Sequence, residues 1–237
     1  MSRICLALDG LPVGSAIDLA EKVGERCYAV KIHNLFDSEG GTVVRVLSGS
    51  NTRIWVDAKL HDIPKTAAKR ALAIARHGAR IITVHASGGV EMMRTVVEQL
   101  KTMYGPTVSV WAITVLTSLD QKETARVYGV QRTHKQVVID LAFMAKEAGV
   151  QGLVCSPQEV RMLSMHPALK GLVLVTPGVR SLGRANDDQK RVGTPKQALD
   201  DGAHFIVVGS QVTESKNPIA AFNSIATEIG MDITTNH

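Results

Sequence analysis

From end to end the chain alternates short runs of β-branched apolar residues with longer amphipathic stretches. The runs lie at residues 4–8, 27–32, 53–57, 80–85, 108–116, 152–156, 172–176 and 204–209. They are apolar almost throughout rather than at every second residue, as parallel strands buried on both faces require. The stretches between them have helical spacing. Within 15–23, Ile17, Leu19, Ala20 and Val23 share one side, and 64–76 opens on Pro64, a residue suited to the first helical position. Residues 89–103, 134–148, 194–200 and 217–228 follow the same pattern. Gly24, Gly78, Gly149 and Gly202 each come just after a helical stretch, where a left-handed cap favours glycine. The helix–glycine–strand punctuation repeats as HGARIITV, AGVQGLV and DGAHFIVV. About eight strand–helix units in 237 residues imply an α/β chain folded as a single (β/α)8 barrel, a TIM barrel, over residues 1–237. A doubly wound open sheet is the alternative. No G-x-G-x-x-G follows the first strand, which weighs against it. No Pro/Ser-rich linker, low-complexity tract or break in charge divides the chain.

Composition narrows the function. With 45% hydrophobic and 21% charged residues, the chain is neither disordered nor a small disulfide scaffold. Its 27 basic and 22 acidic residues give +5, which reads as a solvated surface or a site for an anionic small molecule. Nucleic acid is disfavoured as a partner, because only 4% of residues are aromatic and no binding motif is present. Cys5, Cys27 and Cys155 stand singly in apolar segments, as buried reduced thiols of a cytoplasmic protein do. The N-terminus runs into a strand-like segment without a signal-type apolar region, and no run is long enough to span a membrane. The 8 histidines include no H-x-x-H or H-E-x-x-H pair, so no metal site is expected. His61 reads as structural and His85 as a core histidine, while His77, His134, His166 and His204 read as surface or loop positions.

In a barrel the chemistry gathers at the C-terminal ends of the strands. In order, those ends carry Asp9, Lys31, Asp57 with Lys59, His85, Thr117-Ser118, Ser156, Pro177–Arg180 and Gly209-Ser210. Asp57 and Lys59 are two apart, so both point to one face, where Asp9 and Lys31 join them. One reading is a structural ion-pair layer closing the barrel. The other is a lysine kept protonated between carboxylates as a general acid. The polar stretch 179–189, with Gly183, has the length of an active-site lid. Gly178 and Gly209 suit a backbone phosphate site after strands seven and eight, with Arg180 adding charge. Ser156 lacks the setting of a nucleophile elbow.

These landmarks resemble the orotidine 5′-monophosphate decarboxylase family. LALD (6–9), VKIH (30–33), DAKLHDIPKT (57–66), TVHASGG (83–89), TVLTS (114–118), GLVCSPQE (152–159), VTPGVR (175–180), DDQKR (187–191) and VVGSQVTES (207–215) occur in the family's order. The specific signature is D-x-K-x-x-D-I-P-x-T. The resemblance implies a cofactor-free decarboxylase acting on a small nucleotide as a homodimer. By position, Lys59 would donate a proton to C6 of the pyrimidine and Asp57 would sit beside the substrate carboxylate. Lys31 would link the charges to the ribose, and Asp9 would bind ribose hydroxyls. Asp62, Ile63 and Thr66 would reach the partner's site. Thr117 and Ser118 would read the pyrimidine edge; Arg180, Gln189 and Gly209 would grip the phosphate.

One departure stands out. The family usually has arginine after the last of these glycines, and here the pair is Gly209-Ser210. Either phosphate binding weakens or another cation substitutes, with Arg184 the first candidate and Arg191 the second. Lys65 looks innocuous at a helix start. Two other functions compete: a related barrel decarboxylase or aldolase using a divalent metal on a sugar phosphate, and a nucleotide- or protein-binding barrel without turnover. The I-P-x-T continuation and the LTS segment argue against the first, and the retained charge set against the second.

Overall fold

The computed structural model describes residues 2–49, 52–129, 132–181 and 193–232. Strands and helices alternate: β1 (Ile4–Ala7), α1 (Val13–Val23), β2 (Ala29–Ile32), α2 (Asn34–Glu39), α3 (Gly41–Ser48), β3 (Ile54–Leu60), α4 (Pro64–Arg76), β4 (Ile81–His85) and α5 (Val90–Tyr104). They continue as β5 (Ser109–Ile113), α6 (Gln121–Tyr128), α7 (His134–Glu147), β6 (Gly152–Val154), α8 (Pro157–Ser164), β7 (Val173–Thr176), α9 (Pro195–Asp200), β8 (Phe205–Val208), α10 (Ser210–Thr213) and α11 (Pro218–Glu228). The strands pair in sequence order, all parallel, and β8 closes on β1 through Ile4↔Ile206 and its neighbours. The barrel expectation holds, and closure excludes the open sheet. Among the described residues no helix is long and apolar enough to cross a membrane.

The continuous apolar strand runs are explained by two cores. Outward-facing strand residues such as Leu6, Val30, Val56, Ile82 and Val208 pack under the helices. Inward-facing ones, including Cys5, Ala29, Trp55, Ile81, Trp111, Val175 and Val207, fill the barrel. Its N-terminal end is plugged by stacked rings: Tyr28 lies 3.6 Å from Phe205, and Trp55 meets Trp111 edge-on at 4.9 Å. The site can therefore open only at the other end. All three cysteines are buried, and none forms a disulfide.

Helix ends follow local chemistry. Pro64 begins α4, and the boxes Asp120/Glu123 and Thr133/Gln136 begin α6 and α7. Gly78, Gly149 and Gly202 take positive φ as expected. Gly24 does not: its φ is −60°, and a Cβ there would lie 2.9 Å from Thr52 Oγ1. Close approach, rather than a left-handed cap, is what requires glycine at that position. The helices α2, α3, α6 and α8, which periodicity did not reveal, are short segments of 6 to 8 residues.

Candidate active site

The C-terminal mouth of the barrel holds a cavity of about 340 Å³, large enough for a small organic ligand. Lys31, Asp57 and Lys59 form its polar wall, and Trp55, Ile113, Val154 and Val207 its apolar floor. Thr117 and Ser118 line one side, with Arg180, Gly209 and Ser210 opposite. Of the strand-end residues, those of strands two, three, five, seven and eight share this cavity, whereas Asp9, His85 and Ser156 are not among its lining.

The charges alternate through a connected array. Asp9 pairs with Lys31 through Oδ2, and its Oδ1 accepts from the His33 amide at 2.8 Å. Lys31 Nζ lies 3.5 Å from Asp57 Oδ2, the oxygen that also takes a 2.6 Å bond from Lys59 Nζ. Lys31 and Asp57 are both only 8% exposed, so their charges are largely out of water. Burial by itself drives the Asp57 carboxyl pKa up. The ammonium groups of Lys31 and Lys59 and the hydrogen bonds from Lys59 and Thr83 outweigh it and hold that pKa at about 2. For Lys31, burial disfavours the ammonium form, but Asp57 and Asp9 overcome it and raise the pKa. Lys31 and Asp57 are thus ionised at neutral pH, and their mutual contacts fix them in position.

Lys59 does not owe its position to regular strand alternation. It is the one non-glycine residue with positive φ among those described, at +46°. The β3–β4 register shifts between Val56 and Leu60 at the same place. A residue the sequence reading missed holds this kink. Thr83 on β4, fully buried, accepts from the Lys59 amide at 3.1 Å and donates to Asp57 Oδ1 at 2.7 Å. In the sequence Thr83 is an ordinary β-branched strand residue, and only the pairing of β3 with β4 reveals its contacts. Beyond Lys59, the rings of His61 and His85 lie 5.6 Å apart. Burial, then the neighbouring His61 and Lys59, push the His85 pKa down.

Other expected residues lie apart from the array. Asp62 does not meet Lys59 within this chain. It is exposed, accepts from the Ile63 amide at 2.8 Å and lies 4.0 Å from Arg70. Ile63 is 68% exposed, a large apolar side chain facing outward beside the mouth, and Thr66 on α4 is half-buried. Arg180 Nη2 approaches Ser210 Oγ at 3.5 Å, on the side where a phosphate grip was expected. Gln189, Gly183, Arg184 and Arg191 lie outside the described residues. Among the described residues no three His, Cys, Asp or Glu side chains converge in a way that could hold a metal ion. His134, expected at the surface, is half-buried, with its ring against the buried Glu159.

Comparison with known proteins agrees with this geometry. The model of the orotidine 5′-phosphate decarboxylase / HUMPS family matches residues 2–225. An orotidine 5′-phosphate decarboxylase of Pseudomonas aeruginosa is 38% identical over 97% of this chain and 98% of its own. One from Pseudoalteromonas translucida is 38% identical over 94% and 95%. Among solved structures, an orotidine 5′-phosphate decarboxylase of Lactobacillus acidophilus superposes with a TM-score of 0.82 at 29% identity, covering 97% of this chain and all of that one. The chain belongs to the orotidine 5′-phosphate decarboxylase / HUMPS family.

Proposed function

We propose that this protein decarboxylates orotidine 5′-monophosphate to uridine 5′-monophosphate, a step of pyrimidine biosynthesis, without a cofactor. The observation that carries this reading is the buried Lys31–Asp57–Lys59 array at the edge of a nucleotide-sized cavity, in a chain of this family.

Loss of carbon dioxide from C6 leaves an electron pair in an sp2 orbital with little delocalisation. An ammonium held at that carbon stabilises the developing carbanion and then protonates it, which is the role assigned to Lys59. Because Asp57 and Thr83 already fix the lysine, little reorganisation accompanies the reaction; preorganised charge is usually the largest catalytic contribution. Asp57 would lie beside the departing carboxylate. Lys31 and Asp9 would meet the ribose, and Thr117 and Ser118 the pyrimidine edge. Arg180, Gln189, Gly209 and Ser210 would receive the phosphate, with Arg184 or Arg191 supplying the charge that Ser210 does not. The remote phosphate contributes binding energy that can be used at the reacting carbon.

Asp62, Ile63 and Thr66 would complete the site of a second copy in a homodimer working in the cytoplasm, with neither nucleic acid nor membrane as partner. The outward-facing Ile63 supports that assembly. A chain that sediments as a monomer while turning over substrate would contradict it.

The direct test follows the ultraviolet loss of the orotate chromophore when the protein meets orotidine 5′-monophosphate in the presence of a chelator. Turnover that persists is expected. No turnover from folded protein, or turnover restored only by magnesium, would overturn the reading in favour of a metal-dependent relative.

A further inference from the structure

A second buried polar cluster lies outside the cavity, in the helical layer behind its Thr117–Ser118 wall. His134, the first residue of α7, has its Nε2 3.3 Å from Glu159 Oε1 and its Nδ1 2.8 Å from Thr124 Oγ1. Glu159 Oε2 accepts from the Ser156 amide at 2.8 Å. Thr124 and Ser156 are fully buried, and Glu159 is 2% exposed. An ionised carboxylate only accepts, so Nε2 carries the hydrogen. In the neutral ring Nδ1 then accepts from the Thr124 hydroxyl. The junction is reinforced at the backbone: the His134 amide donates to Gln121 Oε1 at 2.6 Å, and Gln121 Nε2 donates to the Arg132 carbonyl at 3.1 Å.

The connectivity gives this cluster a consequence at the site. Gln121 and Thr124 belong to α6, whose cap, Asp120, is two residues after Ser118. Ser156 follows Cys155, which lines the same cavity. The relay Thr124–His134–Glu159–Ser156 therefore ties the start of α6 to the start of α8, behind two adjacent segments of the cavity wall. The loop carrying Thr117 and Ser118 is partly exposed, so its placement depends on what holds α6. Bonding such as this, with Thr124, Glu159 and Ser156 buried and each polar member satisfied, specifies one arrangement.

We infer that Thr124, His134 and Glu159 are positioning residues that set the Thr117–Ser118 segment over the cavity and so govern recognition of the pyrimidine but not of the ribose phosphate. This rests on the proposed role of Thr117 and Ser118 at the base.

The test measures, by calorimetric titration, the affinity of the full chain for uridine 5′-monophosphate and for ribose 5-phosphate, which lacks the base. Thr124→Val keeps the shape and removes the hydroxyl, whereas Thr124→Ser restores it. Gln121→Ala, at an exposed position, loosens the same junction without touching the core and serves if the buried variant does not fold. Ser118→Ala reports on the base contact itself. The expected result is a roughly three- to tenfold weaker uridine 5′-monophosphate affinity for Thr124→Val, the worth of one neutral hydrogen bond. Gln121→Ala should change affinity in the same direction, ribose 5-phosphate affinity should not change, and Thr124→Ser should behave as wild type. If Ser118→Ala weakens nucleotide binding and Thr124→Val and Gln121→Ala do not, the inference fails and the base contact stands. If Ser118→Ala has no effect, the base contact fails and the inference with it. Equal weakening of both ligands by Thr124→Val would mark general damage and also overturn the inference.

Discussion

The Thr83 hydroxyl donates to Asp57 Oδ1 at 2.7 Å while accepting from the Lys59 amide at 3.1 Å, so one buried side chain on β4 sets both charged partners on β3. The left-handed φ of Lys59 costs energy in any non-glycine residue and persists only where the surroundings enforce it. Thr83 supplies part of that enforcement. Thr83→Val keeps the volume but removes both bonds. It should lower kcat by roughly ten- to a hundredfold, the worth of a hydrogen bond to a charged group, with KM little changed. Thr83→Ser should recover most of the loss. Steady-state kinetics of the two variants decide the matter; a fully active Thr83→Val would show that Lys59 holds its place unaided.

The low pKa of Asp57 makes stability depend on pH in a defined window. In the unfolded chain its carboxyl takes up a proton near 3.8, whereas in the fold it resists down to about 2. The stability it contributes is therefore complete above about pH 4 and is lost as pH falls from there towards 2. Urea midpoints measured across that range should fall more steeply for wild type than for Asp57→Asn. Parallel curves would contradict the assignment.

Ser210 brings a neutral hydroxyl where a cation is expected from the family, and Arg180 is the described cation beside it. Ser210→Arg should tighten uridine 5′-monophosphate binding by roughly tenfold or more, as a charge-assisted bond would. Arg180→Ala should weaken it by a similar factor. Calorimetry that finds Ser210→Arg unchanged would mean the phosphate is already fully neutralised.

The aromatic plug predicts a stability effect remote from the chemistry. A Cβ on Gly152 would lie 2.7 Å from Trp111 Cδ1 and 3.0 Å from the Val173 carbonyl, inside a packed ring stack and against backbone. Gly152→Ala should cost about 1–3 kcal/mol by overpacking. In a chain of this size that lowers Tm by several degrees. Calorimetric melting checks it, and an unshifted Tm would mean the plug is loosely packed.

The barrel was legible because parallel strands buried on both faces leave unbroken apolar runs, and because loops between them carried Gly78, Gly149 and Gly202. The charged array was legible because Asp57 and Lys59 stand two apart in such a run, although a kink rather than simple alternation brings them together. Thr83 was not legible, since a threonine in a strand looks the same whether or not it meets a carboxylate across the sheet. The contact of His134 with Glu159 was not legible, because the two lie on α7 and α8 with β6 between them in the chain. Asp62 and Ile63 face outward in a single chain, so their proposed work depends on a second copy.

The central claim is that Lys59, held by Asp57, delivers the proton to C6. Turnover of orotidine 5′-monophosphate by wild type and by Lys59→Ala, each shown to be folded and to bind uridine 5′-monophosphate, tests it most directly. The account predicts rapid loss of the orotate absorbance by wild type and a fall of about a thousandfold or more in the variant, the scale of a lost preorganised electrostatic group. A Lys59→Ala variant that still turns over at a rate near wild type would contradict it.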